Sequence, residues 1–443
     1  MFTPSQTDCE GFYRRDFLKI GACGLFGLSL PQLLRLESQA QADGKKESGG
    51  KAPKARSVIL VWLGGGPATI DMWDLKPEAP EGIRGEFKPI ATKVEGLKIC
   101  EHLPQMAAVA DKVTVVRSLY HSIPSHGVAT VWMTTGNKPT SAMQYPVMGS
   151  LAARMLRPEP AIPPYVTFGE LRSGTSGYLG TAYNPFVVEG GTGGKGGGFR
   201  VRGITLPNGF TLEELENRNR LLQKLDRHFE AIDKSADLVG GMETFHQQAL
   251  DILRSDKTKK AFDLEQEPVS LRERYGKNGF GQAALAACRL VEAGVRFVTI
   301  SLGGWDTHGK NFETLSKRLL PQLDQTLSAL IENLADRGRL NETLVYCAGE
   351  FGRTPKINKN SGRDHWARSM AAVLAGGGLK AGYVHGSTDG QGMGATNELC
   401  TPDDISATIF HCLGINPHQE LITPSARPIQ LFREGKVIEK LLA

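Results

Sequence analysis

The residues with the clearest capacity for chemistry are Asp306 and His308, which stand two positions apart within a short glycine-containing segment. They directly follow an apolar run, Val295–Leu302, that reads as a buried strand. A carboxylate and an imidazole at the flexible end of a strand suit Zn²⁺ or a similar divalent ion. We therefore predict a metal site at this strand end.

A second acidic group, Glu350, follows the apolar run that begins at Thr343, and His365 comes 15 residues later. A carboxylate at the end of a buried strand is costly unless it meets a cation. That cation can be a metal ion, or it can be Arg353, which would make an internal ion pair. The sequence leaves both interpretations open for Glu350.

Two acidic residues, Asp71 and Asp74, follow the glycines that end the first apolar run, Ser57–Leu63. The glycines allow backbone to approach a ligand closely, and the carboxylates can bind a cation. Either aspartate can equally serve as a helix cap or a turn residue.

Ser125 and His126 follow another apolar run, Val113–Val116, where the strand gives way to a predicted helix. A hydroxyl and an imidazole at such a junction can supply a nucleophile and a base. A plain turn in which Ser122 or Ser125 caps the helix explains the same pattern.

The elements that must position these residues are buried strands alternating with amphipathic helices. The clearest helix carries one apolar stripe, is followed by Gly338 as a stop signal, and lies between two predicted strands; its stripe is Leu320, Leu323, Leu327, Leu330, Ile331 and Leu334. This strand-helix-strand pattern predicts an α/β fold with a mostly parallel sheet and helices on both faces. Because ligands of such sheets bind beyond the carboxyl ends of the strands, we expect the polar strand ends to meet.

The first 42 residues have the composition of a signal peptide, with Arg14 and Arg15 ahead of an apolar stretch, Ile20–Leu34. The paired arginines are typical of the twin-arginine export signal. A permanent anchor is disfavoured because about 20 apolar residues are needed to span a membrane. We predict export of the folded protein to the periplasm or the extracellular space, without stable membrane insertion after cleavage.

Three further regions follow the signal. Residues 43–55 are polar and rich in glycine and proline, as expected of a linker, and residues 56–443 form the folded domain. An insertion is predicted at about 160–265, containing a glycine-rich surface loop at 190–198 and charged helices over 211–264. The loop lacks the Gly-Lys-Ser/Thr ending of a phosphate-binding loop.

Composition argues against nucleic-acid binding and against a disulfide framework. The formal net charge of +5 is mild for this length, and basic residues are not interleaved with aromatic ones, so no nucleic-acid partner is expected. Of the seven cysteines, two precede residue 43 and five remain in no metal-type spacing. An odd number of this kind does not indicate a disulfide framework, and Cys347 and Cys412 read as core residues.

The order of these motifs resembles the alkaline phosphatase and sulfatase superfamily, and most of all the secreted, twin-arginine group known as the domain of unknown function 1501 family. The resemblance covers about 56–150 and 280–416. It implies an alkaline-phosphatase-like fold in which Asp306 and His308 are metal ligands ahead of a crossover helix. It also places His365 where the superfamily has its late metal-binding histidine.

The resemblance implies roles for the remaining candidates. Glu350, together with Asp71 or Asp74, would hold a second ion or tune the first, and Arg353 would stabilise developing negative charge. His126 falls near the usual position of the nucleophile, with Ser125 beside it. The chain departs from the superfamily here, and also at the first strand end, where glycines replace the usual aspartate.

The sequence therefore predicts an exported hydrolase of phosphate or sulfate esters that uses one or more divalent ions, Zn, Ca, Mg or Mn. Its substrate would be a small-molecule or polysaccharide ester. In this mechanism Ser125 or a water attacks and His126 is a general base or a further ligand. The alternative is a secreted binding protein on the same scaffold that lacks turnover and recognises a polysaccharide or a partner protein.

Overall fold

The strand β1 (Ser57–Gly64) lies at the middle of the central sheet and is buried on both faces. Alternate side chains point into two different apolar cores: Ile59 and Val61 enter one, and Leu60 and Trp62 enter the other. This is the reason for its continuous apolar sequence, because neither face of the strand meets water. The computed structural model describes residues 54–169, 175–189, 200–201, 255–423 and 427–443.

The described residues form a regular succession of strands and helices. The strands after β1 are β2 (Pro89–Ala91), β3 (Lys98–Cys100), β4 (Val113–Leu119), β5 (Tyr165–Phe168), β6 (Phe186–Glu189), β7 (Arg200–Val201), β8 (Phe297–Gly303), β9 (Thr343–Ala348), β10 (Gly352–Arg353), β11 (His365–Trp366), β12 (Met370–Ala375), β13 (Tyr383–His385), β14 (Ser387–Thr388), β15 (Ala395–Asn397), β16 (Glu420–Ile422) and β17 (Pro428–Gln430). The helices are α1 (Pro104–Ala108), α2 (His126–Thr135), α3 (Met148–Met155), α4 (Asp256–Phe262), α5 (Val269–Arg274), α6 (Gly279–Ala293), α7 (Asn311–Thr314), α8 (Leu320–Asp336) and α9 (Pro402–Cys412).

Within the described residues, nine strands form the central sheet in the order β13-β4-β12-β9-β1-β8-β5-β6-β7. Only β12 and β7 run antiparallel to their neighbours, so the sheet is mostly parallel, as predicted. Helices α6 and α8 contribute to the core on one face, and α3 and α9 contribute to the core on the other. The predicted α/β class, with helices on both faces, is confirmed.

The crossover between β8 and β9 follows the predicted pattern. All six residues of the apolar stripe on α8 are at most 1% exposed. The helix joins α7 through a π-helical turn, Leu315–Leu319, next to Pro321, which lacks an amide hydrogen. Gly338 follows the helix in the left-handed conformation, with φ of 65°.

One predicted strand boundary is wrong at its start. Val295 was expected to open the strand, but β8 begins at Phe297. The amide of Val295 instead donates to the carbonyl of Leu290 and completes the end of α6, where Gly294 adopts positive φ. Local hydrogen bonding at the helix terminus therefore outweighs the strand preference of this valine.

The five cysteines of the described residues are all buried and free, and Cys347 and Cys412 belong to the core as predicted. No helix in the described ranges is both long and apolar enough to cross a membrane. The predicted signal at 1–42, most of the linker, the loop at 190–198 and most of the charged helices over 211–264 lie outside the described residues. Within that last range, α4 is helical as predicted.

Candidate metal centre

The carboxyl ends of β1, β4, β8 and β9 lie at one edge of the sheet, because these strands all run in the same direction. The segments that follow them bring His126, Asp306, His308 and Glu350 to this edge. The late residue His365 joins them through the short hairpin of β10 and β11. We call these five residues the strand-end cluster.

Three atoms of the cluster form a small triangle. The Nε2 atom of His308 lies 3.0 Å from Oδ1 of Asp306 and 3.0 Å from Nε2 of His365. The third side, from His365 Nε2 to Asp306 Oδ1, measures 3.3 Å. Metal–ligand distances of about 2.0–2.2 Å place neighbouring ligand atoms roughly 2.9–3.5 Å apart, so this spacing fits one divalent ion.

The orientation of the His365 ring is fixed from outside the triangle. Its Nδ1 atom lies 3.0 Å from the carbonyl oxygen of Pro124, which can only accept, so Nδ1 carries the hydrogen. Burial lowers the pKa of His365, which favours the neutral ring. Its Nε2 atom then presents a lone pair to the triangle, as a metal ligand must.

A carboxylate orients the His308 ring in the same way. Nδ1 of His308 donates to Oδ1 of Asp364 over 2.7 Å, and this hydrogen bond holds the pKa of Asp364 below its usual range. Asn358 donates to the same oxygen over 3.2 Å. A histidine whose outer nitrogen donates to a carboxylate is the usual arrangement behind a metal-binding imidazole.

His126 and Glu350 form a second pair beside the triangle. Nδ1 of His126 lies 2.7 Å from Oε1 of Glu350, which also accepts from the amide of Gly65 over 2.9 Å. Nε2 of His126 lies 3.4 Å from Oδ2 of Asp306. Within the described chain, His126 Nε2 and Glu350 Oε2 are buried polar atoms without a hydrogen-bond partner. His126, Asp306 and His365 offer ligand atoms within 4.8 Å of one another, so the pair adjoins the triangle.

The carboxylate of Asp306 is held ionised by Arg353. Burial disfavours the charged form, but the hydrogen bond and the charge of Arg353 outweigh this effect and lower the pKa of Asp306 to about 2. The guanidinium is 1% exposed and also donates to the carbonyls of Gly65, Gly66 and Arg363. In the structure Arg353 contacts Asp306 and the first strand end, and the role expected for it, stabilisation of developing negative charge, stays a prediction.

The aromatic ring of Phe351 packs against two imidazoles of the cluster. The buried ring of Phe351 lies 4.9 Å from the ring of His126 and 4.5 Å from that of His365, measured between centroids. His121 donates from Nε2 to the carbonyl of Glu350 over 2.7 Å, and burial lowers its pKa so that it stays neutral. These contacts fix the backbone from which Glu350 and the rings project.

The structure does not bring Asp71 or Asp74 into the cluster. Asp71 is 2% exposed and accepts from Nη2 and Nε of Arg363 over 2.7 and 2.8 Å. Asp74 accepts from Lys76 over 2.9 Å and from Thr388. Each carboxylate accepts hydrogen bonds from protein cations or hydroxyls, and metal binding by Asp71 or Asp74 stays a prediction of the sequence.

Ser125 immediately precedes α2, as the sequence indicated, and it occupies the N-cap position. Its side chain is exposed and makes no capping hydrogen bond. Among the described residues, its hydroxyl also forms no hydrogen bond with His126. Ser125 is therefore the N-cap residue by position only, and the contacts of its hydroxyl give it no partner that would activate it.

Sequence reasoning missed four residues that organise the site. Asp364 stands next to His365 and Arg363 stands two positions before it, and that proximity in sequence was the available signal. Phe351 follows Glu350 directly but looks like an ordinary core residue. Asn358 lies in a polar loop without any distinguishing pattern.

The fold and the site define an α/β protein with a carboxylate and imidazole cluster at the carboxyl edge of a mostly parallel sheet. The chain belongs to the family described as "Protein of unknown function (DUF1501)", whose model matches residues 55–442. No curated protein matches the chain.

Several solved structures are similar to the chain at low identity. A sulfatase from Pseudoalteromonas sp. is 13% identical, with 94% of this chain and 76% of that chain covered and a TM-score of 0.40. A phosphonate monoester hydrolase from Silicibacter pomeroyi is 12% identical, with 87% and 76% covered and a TM-score of 0.33. The lipoteichoic acid synthase LtaP from Listeria monocytogenes is 12% identical, with 82% and 73% covered and a TM-score of 0.35.

Proposed function

We propose that the chain is an exported, metal-dependent hydrolase of phosphate or sulfate esters. The observation that supports this most is the triangle of Asp306, His308 and His365, with sides of 3.0, 3.0 and 3.3 Å. Three acceptor atoms at this spacing repel one another unless a proton or a cation lies between them. Since the outer nitrogens of both histidines already donate to oxygens, the inner atoms are available to hold a divalent ion.

Two imidazoles and one carboxylate favour Zn²⁺ or a similar transition ion over Ca²⁺ or Mg²⁺, which prefer oxygen ligands. An ion bound here would act as a Lewis acid toward an oxygen of the ester.

The pair of His126 and Glu350 supplies the general base. With its Nδ1 hydrogen donated to Glu350, His126 keeps a lone pair on Nε2, which lies 3.4 Å from Oδ2 of Asp306. His126 takes a proton from the attacking water and returns it to the leaving oxygen as the ester bond breaks. The buried negative charge of Glu350 stabilises the protonated ring between these two transfers. We assign the attack to water because Ser125 has no hydrogen bond to the base.

The experiment combines metal content with a panel of aryl phosphate and aryl sulfate esters. We expect about one ion per purified chain, and its loss when His308 and His365 are both changed to Ala. Hydrolysis of at least one ester should disappear in the same variant. Protein that lacks metal as purified and binds none when Zn²⁺, Mn²⁺, Ca²⁺ or Mg²⁺ is added contradicts the proposal, as does metal that survives the double change.

The second candidate is a binding protein that lacks turnover and recognises a polysaccharide or a partner protein. It is favoured by Arg353, whose Nε, Nη1 and Nη2 atoms all donate to protein acceptors, so this cation is not free for a substrate. Metal-loaded protein that hydrolyses no ester of the panel would support this candidate instead.

The export part of the proposal depends on Arg14 and Arg15. Folding before export would let the cluster take up its ion in the cytoplasm, ahead of competing metals outside. Changing both arginines to Lys should retain the protein inside the cell. Export through a route for unfolded chains should yield mis-metallated or inactive protein, and full, correct loading by that route contradicts this argument.

A further inference from the structure

Two loops carry the three ligand atoms of the triangle. The first ligand loop, 304–310 between β8 and α7, bears Asp306 and His308, and the second, 354–364 between β10 and β11, leads directly to His365. The two sides of the triangle that reach His365, 3.0 and 3.3 Å long, therefore depend on how the loops are held together. Without an ion or a proton between them, the facing acceptor atoms repel one another, so a fixed spacing requires contacts elsewhere.

Backbone hydrogen bonds join the two ligand loops. The amide of Asn311, at the start of α7, donates to the carbonyl of Ser361 over 2.9 Å. The amide of Arg363 donates in the opposite direction, to the carbonyl of Thr307 over 3.1 Å. The two loops therefore lie side by side beneath the triangle.

The buried side chain of Asn311 joins the same loops a second time. It is 0% exposed, and its amide nitrogen donates to Oδ2 of Asp71 over 2.9 Å. Because a carboxylate only accepts, the amide oxygen is the atom that faces Thr307, whose hydroxyl donates to it over 2.6 Å. Asp71 also accepts from Nε and Nη2 of Arg363. These contacts connect the first ligand loop to the second through the interior.

The two ends of this connection lie close to the ligands in sequence. Thr307 stands between Asp306 and His308 and is 4% exposed, whereas the side chains of its two neighbours are 47% and 46% exposed. The first ligand loop is thus anchored through the buried residue between its two ligands. Arg363, which is 0% exposed, anchors the second loop two positions before His365.

We propose that Asn311 is a positioning residue of the metal centre, which acts through Thr307 on one ligand loop and through Asp71 and Arg363 on the other. It keeps the ligand atoms preorganised, so that an ion binds without first drawing the loops together. Asn311 is not itself a ligand, since both ends of its amide are already hydrogen-bonded within the protein. This inference rests on the proposed function for the presence of an ion at the triangle.

The test compares the Zn²⁺ affinities of full-chain variants by competition with a chelator of known affinity. Thr307→Val removes the hydroxyl that donates to Asn311 and keeps the size of the side chain, so Zn²⁺ binding should weaken about 10–100-fold. Thr307→Ser keeps a hydroxyl and should recover most of the affinity. Asn311→Ala interrupts the same contacts at their centre and should show a comparable loss, which keeps the test decisive if Thr307→Val folds poorly. Asp71→Asn should retain the contact, since an amide oxygen can also accept from Asn311.

Thr258→Val is the matched control. Thr258 is 0% exposed, and its hydroxyl donates to the carbonyl of Ala161 over 2.7 Å. Ala161 precedes the amino end of β5, which runs parallel to β8, so this contact lies toward the opposite edge of the sheet. Urea unfolding of the metal-free chains should show a loss of stability in both Thr258→Val and Thr307→Val. Only Thr307→Val should also lose Zn²⁺ affinity, whereas a merely structural role of Thr307 predicts unchanged affinity in both.

Equal Zn²⁺ affinities of Thr307→Val, Thr307→Ser and the unmodified chain would overturn the inference, and so would an equal loss of affinity in Thr258→Val. An unmodified chain that binds no Zn²⁺ would overturn the inference together with the proposed function. Turnover of aryl phosphate and aryl sulfate esters by the unmodified chain is measured in parallel. Absent turnover with a Zn²⁺ affinity that depends on the Thr307 hydroxyl contradicts the hydrolase and supports the positioning role.

Discussion

Oε1 of Glu350 lies 2.7 Å from Nδ1 of His126, while the second oxygen of this buried carboxylate has no hydrogen-bond partner among the described residues. Burying a carboxylate costs free energy unless charged or donor groups surround it. Nδ1 of His126 is the side-chain donor that faces this carboxylate, beside the amide of Gly65. That coupling is what a general base needs, because it stabilises the charge that appears during proton transfer.

We expect Glu350→Gln to lower kcat about 100-fold, since the amide keeps the shape but not the charge that supports a protonated His126. Metal content should stay unchanged, because the triangle does not include Glu350. Steady-state kinetics and elemental analysis measure the two effects. Glu342→Gln, at the amino end of β9 with 38% side-chain exposure, is the control. An unchanged kcat in Glu350→Gln would remove the dyad from the mechanism.

Asp364→Asn should weaken Zn²⁺ binding by about 10–100-fold, since a neutral amide orients the His308 ring less strongly. Competition with a chelator of known affinity measures the change. Asp336→Asn, on α8 with a 67% exposed side chain, should have no effect. Equal affinities for the two variants would show that Asp364 does not support the ligand.

Gly65→Ala should destabilise the chain by about 1–3 kcal/mol and reduce its metal content. Gly65 has φ of 119°, and a Cβ atom there would lie 2.5 Å from the backbone nitrogen of Asp306. Gly64→Ala is a close control, because its nearest contact would be an ordinary 3.5 Å to Trp62. Urea unfolding measures the stability of both variants. Equal stabilities would contradict the close approach of the Gly65 backbone to that of Asp306.

Asp71→Asn should lower the free energy of unfolding by about 3–5 kcal/mol, because it leaves the buried guanidinium of Arg363 without a counter-charge. The folded fraction should keep its full metal content, as expected of a residue outside the cluster. A double variant, Asp71→Leu with Arg363→Met, should recover most of the stability. If the variant loses its metal while its stability is unchanged, Asp71 is a metal ligand.

Stability should depend on pH through Glu267. Burial raises the pKa of this carboxyl, but hydrogen bonds from Arg337 and Arg289 outweigh it and lower the pKa below the ordinary value. A depressed pKa stabilises the fold above the unfolded value of about 4.3, and this contribution is lost as the pH falls through the folded value. Glu267→Gln should therefore cost about 1–3 kcal/mol at pH 7 and progressively less below about pH 4.

Denaturant unfolding at several pH values measures this difference. Glu265→Gln is the control, since Glu265 pairs with Arg272 but its side chain is 80% exposed. An exposed pair should contribute less than about 1 kcal/mol at any pH. If the free energy of unfolding differs between Glu267→Gln and the unmodified chain by the same amount at every pH, the result contradicts a stabilising role for the charge of Glu267.

The sequence by itself determined the sheet and the central part of the site. Continuous apolar runs predicted buried strands, and the stripe on α8 predicted the crossover, because burial on one or two faces imposes a period that can be read locally. Parallel strands end at one edge, so the sequence placed Asp306 and His308 near Glu350, whereas His365 was assigned to the site by the resemblance alone.

Only the tertiary structure decided which charge meets which. Asp71 pairs with Arg363, which lies 292 positions later in the chain. Arg353 donates to backbone carbonyls that no local sequence pattern predicts. His126 turned out to face Glu350, and Asp364 turned out to support His308. Partners of this kind depend on how separate loops pack at the sheet edge. For the buried groups Asp71, Arg363 and Arg353 the pairing is also required, because an unpaired charge there is too costly.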